Sequence, residues 1–262
     1  MPSRPARLPW FAPCAAALLL AACAGGGPVG GGGDAPGSPL RLADRAAAAG
    51  DYRTSATLYR QAFDANPKSV DALVGLGRSY AGVGQYARAE QALLEARNRR
   101  PRDVTVLVEL ARVQIGAGKP QAALQSLEEA RRHAPRNLDV ITAQGIALDR
   151  LSRHPDAQAV YREGLSLDPT NFALLSNLGL SYGLGGAPTE GIAILRELVR
   201  DGEATAKTRG NLALLYGLAG RDREAAATLA GDLPPAEIEQ NVAYYRELRA
   251  LLLAGKPIGA LQ

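Results

Sequence analysis

Cys23 is the residue of this sequence with the most definite covalent chemistry, because a thiol can carry a lipid, a metal ion or a disulfide. It follows an apolar run and precedes a stretch of glycines, in the sequence LLLAACAGGG. The uninterrupted apolar segment covers only residues 14–24, whereas a helix that crosses a bilayer needs about 20 apolar residues. Arg4 and Arg7 stand upstream with no acidic residue, which is the layout of an export signal. The sequence therefore predicts export from the cytoplasm and no membrane span in this segment.

The four residues Leu20–Cys23 resemble the bacterial lipobox, in which small side chains admit a dedicated peptidase and the cysteine thiol carries diacylglycerol. This resemblance implies a signal peptide over residues 1–22 and a lipid on Cys23, which becomes the first residue of the mature chain. Cys14 leaves with the signal, so the mature chain keeps no thiol for a disulfide or a metal. The alternative is an ordinary cleaved signal with a chance cysteine, since small residues also suit ordinary cleavage sites.

The residue after Cys23 bears on the destination of the chain. Ala24 stands there, and in enteric bacteria a residue other than aspartate usually directs a lipoprotein to the outer membrane. We therefore expect a lipid-anchored protein at the periplasmic face of the outer membrane, with sorting to the inner membrane left open. Residues 23–39 contain almost nothing apolar beyond the lipid site, and such a composition predicts a flexible tether with a reach of roughly 22 Å.

The remaining titratable residues do not form a catalytic set. His133 and His154 are expected at a helix end and in an inter-helix turn, and Asp168 and the pair Glu128 and Glu129 are expected to be solvated. No strand is predicted, so no glycine-rich loop follows one to cradle a phosphate. We therefore predict a protein that is not an enzyme and binds no metal and no cofactor apart from the covalent lipid.

The charge of the chain argues against nucleic acid as a partner. The sequence has 30 basic and 26 acidic residues, and loss of Arg4 and Arg7 with the signal brings the two numbers nearly level. Binding to nucleic acid requires a strongly basic face.

A fixed period of 34 residues organises the rest of the chain. Prolines recur at this step, and so do turn residues and small residues. The three series are Pro67, Pro101, Pro135 and Pro169; Gly50, Gly84, Gly118, Ser152, Gly186 and Gly220; and Ala43, Gly77, Ala111, Gly145, Gly179 and Ala213. A period of this length with two helices in each unit is typical of tetratricopeptide repeats.

One unit shows why these residue types recur. Leu73, Leu76 and Tyr80 form an apolar stripe on a first helix, Gly77 lets the second helix approach, and Gly84 permits a tight turn. A single helix pair cannot bury its apolar face, so neighbouring pairs stack. We predict an all-α fold, a right-handed α-solenoid of about six units over residues 40–239; another kind of α-solenoid is the alternative.

The end of the chain predicts a capping element. Residues 234–254 form an amphipathic pattern with Ile238, Val242, Tyr245 and Leu248 on the apolar side, and residues 255–262 form a short tail. A polar-faced terminal helix is what the end of a solenoid requires.

The first helices of the units should line a concave groove, which we predict as the binding site for an extended or helical peptide. The polar residues expected there are Arg78, Arg112, Asp149, Asn177 and Asn211, and Ile146, Leu180 and Leu214 should add apolar pockets. Equally, Asn177 and Asn211 could simply bond the backbone of a neighbouring unit.

Arginines also cluster where second helices should end, at Arg97, Arg99, Arg100 and Arg102 and again at Arg131, Arg132 and Arg136. Cations at a helix C-terminus are favoured by the macrodipole, and an edge that meets anionic lipid or an acidic partner is the other interpretation.

A narrower resemblance concerns the stretch from Asn211 to Leu251. NLGLSYGLGG from Asn177 recurs as NLALLYGLAG from Asn211, and the latter leads into GRDREAAATLAGDLPPAEIEQNVAYYRELRAL. Together with the lipobox and the tether, this run resembles the TadD family, tetratricopeptide lipoproteins of the tight adherence (Flp) pilus machinery. The segment AAATLAGDL carries fewer charges than that family would lead one to expect.

This resemblance implies an outer-membrane adaptor that helps the pilus secretin to localise, assemble or remain stable, with the secretin or other pilus components as protein partners. The alternative is a general tetratricopeptide lipoprotein that serves another envelope or secretion complex.

Overall fold

The computed structural model describes residues 38–200 and 204–256. Cys23, the predicted signal and tether up to residue 37, and the tail from residue 257 lie outside the described residues. The described residues form helices joined by short turns, with no strand among them. In these two ranges, none of the helices combines the length and the apolar character that a membrane crossing requires.

Thirteen helices follow one another in the described ranges, as pairs of a first and a second helix. They are α1 (Pro39–Ala48), α2 (Tyr52–Ala65), α3 (Val70–Gly82), α4 (Tyr86–Arg99), α5 (Val104–Gly116), α6 (Pro120–His133), α7 (Leu138–Arg150), α8 (His154–Leu167), α9 (Phe172–Leu184), α10 (Pro188–Arg200), α11 (Ala206–Leu218), α12 (Asp222–Leu229) and α13 (Pro235–Leu253). Each helix packs on its neighbours in the chain. Six pairs and a final helix confirm the predicted α-solenoid of tetratricopeptide units.

The first helices begin at side-chain caps that recur every 34 residues. Each capping side chain accepts a hydrogen bond from a backbone N–H of the first turn, at Ser69, Asp103, Asn137, Asn171 and Thr205. An accepting side chain at this position satisfies an N–H group that has no partner within the helix. The chain therefore marks the start of each first helix after the first unit by the same device.

The turn inside each unit requires a left-handed backbone. The turn residues have φ between +57° and +89° in all six units: Gly50, Gly84, Gly118, Ser152, Gly186 and Gly220. Glycine adopts this conformation without steric cost, which confirms the prediction for Gly84. Ser152, with a φ of 57°, is the non-glycine member of the series.

Small residues let the two helices of a unit come close together. A Cβ added to Gly77 would lie 2.5 Å from the Cγ of Leu93, and one added to Gly145 would lie 2.2 Å from the ring of Tyr161. Leu93 and Tyr161 are fully buried. The second helix thus fills the space that the missing side chain leaves, as the sequence predicts.

The last helix, α13, covers the end of the array. Val242, Tyr245 and Leu248 are buried against the preceding unit, and Ile238 is half-buried. Asp222, at the start of α12, accepts hydrogen bonds from Arg246 (2.6 Å) and Arg249 (3.2 Å) of α13. Apolar burial and ion pairs together fix this helix.

Candidate functional site: the inner face of the first helices

The first helices of successive units contact one another throughout the array, in the pairs α1 with α3, α3 with α5, α5 with α7, α7 with α9, and α9 with α11. The second helices of successive units make no comparable contact in the part of the chain that the structure describes. The first helices therefore lie on the side of the array where the units are closest together. We call the surface formed by their outward side chains the inner face; its central row is Arg78, Arg112, Ile146, Leu180 and Leu214, one residue every 34.

Ion pairs cross the N-terminal half of the inner face from one first helix to the next. Glu109 on α5 accepts hydrogen bonds from Arg78 on α3 (3.0 Å) and from Arg112 on its own helix (2.8 Å). Arg112 also donates to Asp139 on α7 (2.7 Å). Glu109 is only 7% exposed. These charges are satisfied within the chain, so this half of the inner face connects three units rather than offering free charge to a ligand.

The C-terminal half of the inner face is formed by α9 and α11 and has a different character. Helix α9 contains no charged residue. Leu180 is buried with 8% exposure, and Leu214 is half-buried. A Cβ added to Gly210 on α11 would meet no atom within 4 Å, so open space lies beside α11 at this residue. This surface is therefore largely buried, and it opens to solvent at Leu214 and beside Gly210.

Two asparagines lie beside this apolar surface, one on each helix. Asn177 is 9% exposed and Asn211 is 6% exposed, yet neither side chain makes a hydrogen bond to a described residue. No side-chain oxygen or nitrogen of the described residues is both fully buried and unpaired, so both amides keep contact with solvent. The structure therefore shows no bond from either asparagine to the backbone of a neighbouring unit. A free amide has donors and an acceptor for the backbone of a bound peptide.

Asp149, which the sequence places in the groove, lies instead between α7, α8 and α9. Its carboxylate accepts hydrogen bonds from Tyr161 on α8 (3.0 Å) and Ser181 on α9 (2.6 Å), and it lies 2.9 Å from Nδ1 of His154. Burial raises the pKa of the Tyr161 phenol well above its ordinary value, with a further contribution from Asp149. The phenol therefore stays protonated and donates. Asp149 joins units four and five rather than facing a ligand.

The structure also places residues that the sequence analysis did not identify. Glu109, Asp139 and Ser181 hold neighbouring units together. His154, which the sequence analysis expects in an inter-helix turn, is the first residue of α8 and pairs with Asp149. Glu109 could have been found from the sequence, because it follows Arg78 by 31 residues. This spacing is shorter than the 34-residue period by about one helical turn. Ile146, the remaining predicted residue, lies half-buried on α7 between the two halves of the inner face.

Family models support the repeat assignment. A model described as "Tetratricopeptide repeat" matches residues 46–110, and a second with the same description matches residues 142–207, together about half of the chain. Neither match is to an enzyme. No curated protein sequence matches the chain.

Solved structures are similar in fold. A tetratricopeptide repeat protein from Parabacteroides merdae ATCC 43184 superposes with a TM-score of 0.69 at 13% identity, over 79% of this chain and 83% of its own. PilW, described as a widely conserved type IV pilus biogenesis factor, gives a TM-score of 0.67 at 17% identity, over 78% of this chain and 96% of its own. MamA gives 0.51 at 25% identity, over 63% of this chain and 99% of its own.

Proposed function

Because the chain belongs to the tetratricopeptide-repeat proteins, which are generally non-catalytic scaffolds, we propose that it binds a peptide segment of another protein on the C-terminal half of its inner face. The observation that carries this proposal is the pair Asn177 and Asn211, whose side chains have no hydrogen-bond partner among the described residues and lie beside the apolar residues Leu180 and Leu214. The amides would bond the peptide backbone, and the leucines would contact its apolar side chains.

The charge pattern supports the C-terminal half over the N-terminal half. Arg78 and Arg112 are engaged with Glu109 and Asp139, so a ligand there would first have to break ion pairs within the chain. On α9 no such cost arises, because this helix carries no charge. We infer that the ligand segment is uncharged where it meets α9.

The finer proposal concerns the place of action. The lipobox ending in Cys23 and the resemblance of Asn211–Leu251 to the TadD family support a lipid-anchored adaptor of the Flp pilus machinery at the periplasmic face of the outer membrane, with the secretin or another pilus component as partner. PilW shares the fold and is a pilus biogenesis factor, which is compatible with this role. The second candidate is an adaptor for another envelope complex, favoured if the resemblance reflects the repeats alone.

The test is to delete the gene and measure surface pilin and heat-resistant secretin multimers. We expect both to fall and wild-type protein to restore them. Cys23→Ala should fail to restore them and should leave the membrane fraction. The double variant Asn177→Ala/Asn211→Ala should also fail while remaining folded and membrane-bound, because alanine already stands at the equivalent position 143.

The matched control is Asn98→Ala/Asn241→Ala, which removes two asparagines from α4 and α13, away from the inner face, and should restore both readouts. Unchanged pilin and secretin after deletion would exclude the pilus role and favour the second candidate. Full rescue by the Asn177 and Asn211 double variant would exclude the proposed binding surface.

A further inference from the structure

A row of cations lies along one edge of the array, at the turns that join one unit to the next. Lys68, Arg102 and Arg136 recur every 34 residues, each directly after the proline of its turn, and Arg132 lies beside them at the end of α6. All four are exposed. We call these four residues the basic edge. In the next unit Thr170 takes the equivalent position, so the row ends after three turns.

The helix macrodipole does not explain the three periodic cations. Lys68, Arg102 and Arg136 each directly precede the N-cap of a first helix, at Ser69, Asp103 and Asn137. The N-terminus of a helix carries partial positive charge, which disfavours a neighbouring cation. A helix C-terminus does account for Arg132, in the last turn of α6. The periodic cations therefore need another explanation.

The residues of the basic edge are not neutralised by the protein. Other arginines nearby are: Arg99 pairs with Glu95, Arg100 with Asp71 and Arg131 with Glu163. In contrast, the four residues of the basic edge make no side-chain hydrogen bond or ion pair to any residue within 38–200 and 204–256. A shallow cleft of about 480 Å³ at this edge is lined in part by Lys68, Arg99 and Arg100. The edge presents uncompensated positive charge.

The size of the row indicates the kind of partner. First helices of successive units contact one another, and packed helices lie about 8–10 Å apart, so three successive turns extend over roughly 20 Å. That distance exceeds one phosphate group by far. A surface that carries many anionic groups can pair with all three cations at once.

The position at which the first helix begins indicates that this surface is a membrane. Every first helix starts at the edge where the between-unit turns lie, and α1 is a first helix that starts at Pro39. The first described residue, Ser38, therefore lies on the same side of the array as the basic edge. We propose that the basic edge binds the anionic phosphate headgroups of the bilayer to which the chain is anchored, and so sets the orientation of the solenoid on the membrane. The choice of a membrane rests on the lipid anchor of the proposed function, whereas the unpaired cations of the basic edge are observed independently of it.

The test uses the mature chain from residue 23 with Cys23→Ser, so that neither the lipid nor the apolar signal contributes, and vesicles of phosphatidylcholine with or without phosphatidylglycerol. We expect sedimentation with the anionic vesicles only, weakened by salt. The triple variant Lys68→Gln/Arg102→Gln/Arg136→Gln should lower the partition coefficient on the order of 100-fold, because each cation near an anionic surface contributes about a factor of five. The uncharged Thr170 at the equivalent position indicates that glutamine is tolerated there.

The control triple is Arg45→Gln/Arg53→Gln/Arg223→Gln, which removes the same charge from exposed positions near the opposite ends of the helices. It should reduce binding only slightly. Equal loss in both triples, or equal binding to both kinds of vesicle, would overturn the proposal. Binding to a polyaspartate peptide without binding to anionic vesicles would also overturn it and assign the edge to an acidic protein. None of these outcomes depends on pilus assembly or on Cys23.

Discussion

Among single residues, Ser152 in the turn between α7 and α8 breaks the pattern of glycine at the turn inside each unit. Ser152 holds a φ of 57° at a position where the other five units have glycine. A left-handed backbone costs an L-residue roughly 1–2 kcal/mol, and the exposed Ser152 side chain makes no hydrogen bond to a described residue that would offset this cost. The strain at this turn is local.

We predict that Ser152→Gly stabilises the protein by about 0.5–1 kcal/mol, since relief of strain outweighs the greater freedom of glycine in the unfolded chain. Gly84→Ala, which adds a Cβ at the equivalent turn two units earlier, should destabilise by about 1–2 kcal/mol. No atom lies within 4 Å of a Cβ at Gly84, so this cost comes from the backbone alone. Thermal or urea unfolding measures both, and a lower stability of Ser152→Gly would show that the serine is not strained.

Asp149 was predicted to line the groove, but it lies between α7, α8 and α9. Its spacing from Ile146 suggests a shared face, but its equivalents in other units are Ile115, Gly183 and Gly217, which are buried, and Ala47 and Ala81, which are half-buried. Comparison along the 34-residue register would have identified a packed position. Hydrogen bonds that close a packed polar site depend on which side chains two other helices supply, and a single helix pattern does not contain that information.

At the scale of helices, the period predicts nearly every element, because proline, glycine and small residues act locally and recur in each unit. The six pairs and the last helix agree with the sequence for this reason. The attachment of α13 was less predictable. Asp222 on α12 accepts hydrogen bonds from Arg246 and Arg249 on α13. Arg209 on α11 donates two hydrogen bonds to Asp232, at 2.6 and 2.5 Å. These arginine–aspartate pairs fix the end of the array.

We predict that α13 loosens in acid before the rest of the array. Hydrogen bonding to Arg246 lowers the pKa of Asp222, and hydrogen bonding to Arg209 lowers that of Asp232. A carboxylate with a lowered folded-state pKa stabilises the fold above its unfolded pKa of about 3.9, and this contribution is lost as the pH falls further. Hydrogen exchange at decreasing pH should show α13 opening first below about pH 4.

Asp222→Asn should produce the same loosening at neutral pH, while Asp64→Asn, at an exposed position of α2, should not. Uniform exchange along the array in acid would contradict this account.

At the scale of the whole molecule, the two halves of the array differ in how their units are joined. In the N-terminal half, Glu109 connects Arg78 and Arg112, and Arg112 connects to Asp139, so charges join three units. The inner faces of α9 and α11 rely on apolar packing. The sequence shows the repeat but not this asymmetry, because the partners of each charge lie in different units.

We predict that the first helices of the N-terminal half are the better protected against hydrogen exchange under native conditions. Glu109→Gln should reduce protection of α3, α5 and α7 and cost about 1–3 kcal/mol, because the buried Glu109 is the charged acceptor of the half-buried Arg112 and the exposed Arg78. Asp156→Asn, at the exposed start of α8, is the control. Equal protection in both halves of the wild-type protein would contradict the prediction.

The succession of contacts has a mechanical consequence. Each helix touches only its near neighbours along the chain, so tension applied between α1 and α11 passes through every unit in series. The junctions with the fewest cross-links extend first, and those bridged by Glu109 resist longest. If a partner bound to α9 and α11 is pulled away from an anchor ahead of α1, the units nearer the anchor therefore extend least. The units nearer the partner extend most.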